Sequence, residues 1–302
     1  MAGGTAGAVR TDWPHHQPGP SPQDGIDDEL GLFGPDSVTW RVHADPMFAV
    51  AGLRALILQA LHPLAMQAVD AHSAYREDVW GRLTRTAEYV AVTTYGTVGE
   101  ALVAAARVRS VHARVSGRAA DGRAYAADDP ALLTWVHCCL VDSFLSVPLR
   151  SGLALTGAEQ DAYVREQVAS AVLVGLEPDD VPHDRAELAD YFTRMRPQLA
   201  CTPAARRAVA VVIAPPLPPA VALATPARPA WASVAGLAFA ALPGWARRIY
   251  AIPELPGAAG LTDAATNLGL HTLRGALRGV QAVVPPLREG PHHKAARLRL
   301  SQ

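Results

Sequence analysis

Cysteine is scarce in this chain. There are three in 302 residues, Cys138, Cys139 and Cys201. Two are adjacent in a helical context, where successive side chains diverge, so no disulfide framework follows and a reducing cytoplasmic setting is the expectation. An excess of charge is missing too. Twenty-seven Lys and Arg against 28 Asp and Glu leave a formal net charge of -1. That removes the electrostatic case for nucleic acid, which asks for a basic face. Arginine greatly outnumbers lysine and alanine is abundant, a bias we read as genomic rather than chemical. The sequence has no glycine-rich dinucleotide fingerprint, phosphate loop, nucleophile elbow, HExxH or CxxC. Those absences weigh against NAD enzymes, NTPases, α/β-hydrolases and the common zinc sites. The start, MAGGTAGAVRTDWPHH, lacks the apolar core of a signal peptide.

A long uncharged helical run is nearly lacking as well. Pro229 to Ala246 approaches the roughly 20 residues of a membrane span, but its small residues and Pro243 favour a core helix. Ala208 to Ala227 is broken by Pro215, Pro216, Pro218 and Pro219, and cannot be one helix. No integral membrane span is expected, and peripheral membrane contact is left open.

What is present is apolar and helical in pattern. Half the residues are hydrophobic, enough at this length for a large core. Residues 1–36, rich in Gly, Pro and Asp, read as a disordered or loosely attached leader. Residues 37–285 read as one helical domain, and 286–302 as a basic, frayed tail. Met47, Val50, Leu53, Arg54, Ile57, Leu58 and Leu61 recur at helical spacing. Pro63 starts a new helix at its first position, with His72-Ser73 in the turn after it. A helix from Gly81 to Tyr95 is followed by one from Val98 to Val115. Thr97 with Glu100 forms a capping box between them. Residues 117–129 read as a loop or hairpin. Asp129-Pro130 then opens a helix that Pro148 closes or kinks. Further helices are expected over Thr156–Gly175, Asp184–Leu199, Trp231–Ile249 and Leu261–Val284. No alternating strand run stands out. The fold class is all-α, an irregular helical bundle.

Within that pattern, polar side chains fall on apolar stripes. Arg82, Arg85, Thr86 and Tyr89 share one helix face at steps of three and four. Arg109 and His112 share another, and His137 sits in the apolar context TWVHCCL. Arg and His on a core-facing stripe are costly unless they meet an anion or a metal. Haem supplies both, iron for an imidazole and propionates for guanidinium groups. A single helical histidine is more often a hydrogen-bonded core or surface residue, and Arg82 and Arg85 could equally be solvated. His15, His16, His292 and His293 lie in polar tails, away from any site.

The run ALILQALHPLAMQAVDAHSAYREDVWGRLTRTAEYVAVTTYG, then VRSVHARVSG, DGRAYAADDPALLTWVH and WASVAGLAFAALPGWARRIY, resembles in collinear order the motifs of the haem-dependent rubber-oxygenase (latex-clearing-protein) and mycophenolic-acid-pathway oxygenase family. The resemblance covers about Trp40 to Tyr250. It implies a globin-like helical core, haem b as cofactor, and dioxygen with an apolar, isoprenoid-like small molecule as reactants. His112 of the Arg109-x-x-His112 segment is then the iron ligand. Arg82, Arg85 and Arg109 join His112 in binding the cofactor. Arg85, Thr86 and His137 are the catalytic residues, His137 orienting the pocket or acting as an acid–base group. Arg85 stands where the family has a lysine able to cap iron. A guanidinium stays protonated and has no lone pair to offer, so that capping is not carried over. The resemblance suggests oxidative cleavage of a carbon–carbon double bond. Two alternatives stand beside it: a non-catalytic helical protein that binds haem or an apolar ligand, and a non-haem metal enzyme using His62, Asp70 and His72.

Overall fold

The computed structural model describes residues 31–73, 78–216, 225, 227–251, 259–283 and 290–301. Most of the expected leader, including His15 and His16, lies outside the described residues. Its last part, around Phe33, is tucked in: Phe33 is buried, and its carbonyl accepts from the Trp40 indole at 2.7 Å.

The fold is all-α, with one two-stranded hairpin among the described residues. In order, the helices are α1 (Val38–His43), α2 (Phe48–Gln59), α3 (Pro63–His72), α4 (Val79–Tyr95) and α5 (Val98–His112). The hairpin pairs β1 (Ser116–Arg118) with β2 (Ala124–Ala126), Gly117 opposite Tyr125. After it come α6 (Pro130–Arg150), α7 (Gly157–Glu166), α8 (Val168–Leu173), α9 (Arg185–Met195) and α10 (Pro203–Ile213). The chain ends with α11 (Ala227–Ala240), α12 (Gly244–Ile249), α13 (Ala259–Val283) and α14 (Pro291–Leu300).

Helices α2 and α6 form the central pair, and α11 and α13 pack around them. Trp135, Ile57, Leu58 and Leu61 are fully buried, and Phe48 stacks on Phe144 at 4.7 Å. α6 is the one helix of the described residues long and apolar enough on its own to cross a membrane, and most of it is buried as the core of this bundle. α2 and α3, taken together, are also apolar enough but bend by 104°. The new helix expected from Pro63 makes that corner: Pro63 opens α3, and the His62 side chain caps it.

Local signals work as read. Thr97 and Glu100 form the reciprocal capping box of α5, and Asp129 caps α6 with Pro130 in its first turn. Three expectations change and a fourth narrows. Thr156–Gly175 is two helices, parted at Gln167. Glu166 there accepts from the Val38 and Thr39 amides and caps α1, while buried Gln167 donates to Thr39. Trp231–Ile249 breaks at Ala241–Pro243, because Pro243 has no amide hydrogen for a continuing helix. The freed carbonyls are capped by arginine: Arg54 and Arg150 donate to Ala241, and Arg247 to Ala240 and Leu242. Of the two outcomes expected at Pro148, closure does not occur there, since α6 runs on to Arg150. The basic tail is not frayed over 291–300. It forms α14, with Ala296 fully buried, His293 stacked on Tyr95 at 4.8 Å and His292 paired with Glu88 at 2.7 Å.

Candidate functional site

An apolar cavity of about 230 Å³ lies between the C-terminal half of α2 and α3, α4, α6 and α10, with the end of α5 closing one side. Leu56, Ile57, Met66, Leu83, Leu133, Val136 and Val209 form much of its wall. Three polar side chains enter that wall: Gln59, Arg82 and His112.

His112 is the last residue of α5. Its Nδ1 is buried and has no hydrogen-bond partner. Burial holds its pKa below the ordinary imidazole value; the carboxylate of Asp128 pulls up and the Arg82 guanidinium pushes down. The ring is therefore neutral at pH 7 and keeps a lone pair. Asp128 is brought there by the chain path: the Val115 amide donates to the His112 carbonyl at 2.9 Å, and the Ala127 amide to the Val115 carbonyl at 2.8 Å. Arg82 is half-buried on α4 and donates to the Ser73 hydroxyl. The Gln59 side-chain amide donates to the Val136 carbonyl at 3.3 Å, while the Gln59 backbone carbonyl accepts from the Trp135 indole at 3.0 Å.

The other sequence-derived residues lie outside this lining. Arg109 turns to α8 and donates to the Leu173 carbonyl. Arg85 is exposed and pairs with Asp78 at 3.1 Å. Thr86 is exposed, its hydroxyl donating to the Arg82 carbonyl at 2.9 Å. His137 is buried one residue past Val136, with its pKa pushed down to about 4 by burial. Tyr89, farther along α4, has a buried hydroxyl without a partner, pushed up to about 12 by burial. The structure thus brings Arg82 and His112 to one cavity and leaves Arg85, Thr86, Arg109 and His137 outside it.

His62, Asp70 and His72 do not converge. His62 caps the start of α3 and His72 ends it, about 15 Å apart at the α-helical rise. Asp70 pairs with Arg207 at 2.8 Å, and His72 hydrogen-bonds the Tyr125 hydroxyl at 3.1 Å. One ion cannot be shared by the three, which removes the non-haem reading built on them. Among the described residues no other group of three or more His, Cys, Asp or Glu is arranged for a metal. Cys138 and Cys139 are free and buried, their thiols pushed up by burial and so held protonated.

Sequence reading passed over two residues. Gln59 ends the apolar ALILQ run, and a polar side chain there was the only signal. His43 is a core histidine held between the Thr94 hydroxyl at 2.8 Å and the Tyr163 hydroxyl at 3.1 Å.

The donor set fits haem. A buried neutral imidazole without a partner suits iron, a guanidinium in the same wall suits a propionate, and the remaining lining is apolar. The cavity volume is under the roughly 300–1,000 Å³ of pockets that take drug-sized ligands, so a macrocycle needs its walls to part.

Comparison with known proteins gives one match. A family described as "ER-bound oxygenase mpaB/B'/Rubber oxygenase, catalytic domain" matches residues 40–279. No curated protein and no solved structure matches the chain.

Proposed function

Because the chain belongs to the family of ER-bound oxygenase mpaB/B' and rubber oxygenase catalytic domains, and is an oxygenase in that general sense, we propose that it depends on haem b and turns dioxygen on an apolar small molecule. The observation that carries this reading is His112: a neutral imidazole, buried, with an unpartnered nitrogen, in the wall of an apolar cavity.

On this reading His112 is the iron ligand and Arg82 pairs with a propionate. When bound, haem supplies the redox centre at which dioxygen reacts. The chain's own contribution is selective binding and exclusion of water. Leucine, valine and methionine side chains around the cavity favour a hydrocarbon and disfavour solvent. Gln59 offers the amide that can orient a polar end of the substrate. His137, one residue behind Val136, suits an orienting part better than direct proton transfer. Arg85 and Thr86 reach the site only if α4 turns, and the roles assigned to them depend on that movement. Oxidative double-bond cleavage of an isoprenoid-like substrate and a cytoplasmic setting belong to the same proposal.

The test begins with purification. The protein should be red with a Soret band, and His112→Ala should purify with little haem at unchanged helical content. Full haem retention with the same spectrum in His112→Ala would overturn the ligand assignment. Red protein that never consumes dioxygen with any apolar alkene would favour a non-catalytic haem protein instead.

A further inference from the structure

Helix α5 has two unlike faces. Its inner face is fully used: Ala101 and Ala105 are completely buried, and His112 enters the cavity wall. Its outer face is left open to solvent although it is apolar. Leu102 is 50% exposed, Val103 55% and Val111 50%. A shallow groove runs along this face, lined by Val103, Ala106, Arg107, Ser110, Val111 and Arg114. These positions are three, four, seven, eight and eleven residues on from the first, the repeat of one helical stripe.

The charge in the groove is basic, from Arg107 and Arg114, while Glu100 at the start of the helix is engaged in the capping box with Thr97. Residues 101–120 contain Arg107, Arg109, Arg114 and Arg118 and no acidic residue, in a chain whose total charge is close to zero. Arg109 is used internally, on the Leu173 carbonyl. Arg114, in the turn after α5, donates to Ser110 on that helix, and Arg118 to the Gly122 carbonyl. Neither they nor Arg107 is in an ion pair with an Asp or Glu of the described residues.

We infer that the outer face of α5 is a docking surface for an anionic lipid interface. Short aliphatic side chains without a deep pocket suit shallow insertion below the headgroups, and unpaired arginines beside them suit lipid phosphates. An acidic protein partner would meet the same arginines, but a protein interface of useful affinity is usually centred on a pocket or an aromatic anchor, and this groove has neither. The helix that would touch the bilayer is also the one whose last residue, His112, walls the cavity. The docking itself requires neither haem nor turnover, and stands or falls independently of the proposed reaction.

Co-sedimentation of the full chain with phosphatidylcholine vesicles, with and without phosphatidylglycerol, tests it. Binding should need phosphatidylglycerol and weaken with added salt. Val103→Asp/Val111→Asp should bind at least about tenfold more weakly, with circular dichroism confirming unchanged helical content. Arg107→Gln/Arg114→Gln should lose the preference for the anionic lipid. The comparison variant is Leu261→Asp/Leu268→Asp on α13, where both leucines are also exposed. It should bind like the parent. No binding to phosphatidylglycerol vesicles, binding unchanged in the α5 variants, or binding lost only in the α13 variant would each overturn the assignment.

Discussion

At the scale of single residues, burial decides what each polar group can do. Arg82 and Arg85 lie one turn apart on α4, and pattern alone makes them equivalent. The environment separates them. Arg82 is part of the cavity wall, whereas the Arg85 side chain is 70% exposed and neutralised by Asp78. An exposed pair of that kind is worth at most about 1 kcal/mol. Arg82→Leu should therefore weaken haem affinity without changing the axial ligand, since only a charge-assisted contact to a carboxylate is lost. Arg85→Leu should leave affinity nearly unchanged. Haem titration of the two purified apo variants checks the contrast, and equal affinities would remove Arg82 from the binding set. The composition of the cavity wall also bears on the spectrum of the haem-loaded protein. Besides His112 the cavity wall offers only Gln59 and Arg82 as polar side chains, and a guanidinium supplies no lone pair at accessible pH, so the ferric protein should be high-spin and shift readily with azide. Arg85 lies outside the cavity, so Arg85→Lys should leave the ferric spectrum unchanged, and a shift toward a low-spin, slower-exchanging form would show that α4 turns to bring this position to the iron. A low-spin electron paramagnetic resonance signal indifferent to azide in the unmutated protein would mean that another side chain caps the iron.

At the scale of elements, the helices hold one another through buried ion pairs that join distant parts of the chain. Arg274 of α13 is buried and pairs with buried Asp45, in the turn between α1 and α2. Arg274 also donates to the Ser151 hydroxyl at 2.8 Å and the Pro148 carbonyl at 3.3 Å, at the end of α6, while its Nε has no partner. Such a pair need not add stability over an apolar substitute, but removing one half strands the other. Arg274→Leu should cost about 3–5 kcal/mol, measured by urea unfolding. Arg274→Leu/Asp45→Asn should recover part of that loss. A cost under about 1 kcal/mol for the single variant would mean that water replaces the guanidinium. This pair marks the limit of what sequence can tell. The Thr97–Glu100 box, the Pro63 start and the Asp129-Pro130 start were legible because each is a bargain among neighbours a few residues apart. Arg274 and Asp45 are 229 residues apart, and no local pattern connects them. The break at Gln167 was hidden for the same reason, since Glu166 and Gln167 turn toward Val38 and Thr39. For the site, spacing placed Arg82, Arg85 and Thr86 on one stripe but could not say which part of the stripe meets the core. Arg109 and His112 likewise share a stripe and then part, one to α8 and one to the cavity.

At the scale of the whole molecule, the interior stores neutral histidine, and that sets an acid limit on the fold. Burial lowers the pKa of His43 to about 3 and of His137 to about 4, and also lowers those of His62 and His112. In the unfolded chain these rings protonate near 6.5. The unfolded state therefore takes up protons that the folded state refuses as pH falls below that value. Their contribution is fully present above 6.5 and is lost progressively down to about 4 and 3, where the folded rings finally protonate. Each ring held neutral adds up to about 1.4 kcal/mol per pH unit to the slope. The window opens well above that of the surface carboxylates. Asp121, Asp161 and Glu159 have pKa values lowered chiefly by hydrogen bonds, so their contributions are present above the ordinary carboxylate range and fall away only below it. Urea unfolding between pH 7 and 5 should thus show stability falling steeply with acid, well before the carboxylates titrate. His43→Gln/His137→Gln should be less stable at pH 7, because His43 loses its hydrogen bonds to Thr94 and Tyr163, but its stability should fall less steeply with pH, by close to two protons' worth of slope. A parent protein equally stable at pH 7 and 5, or a variant with the parent's slope, would show that water reaches these rings in the folded state. The core around α6 would then be looser than its packing implies.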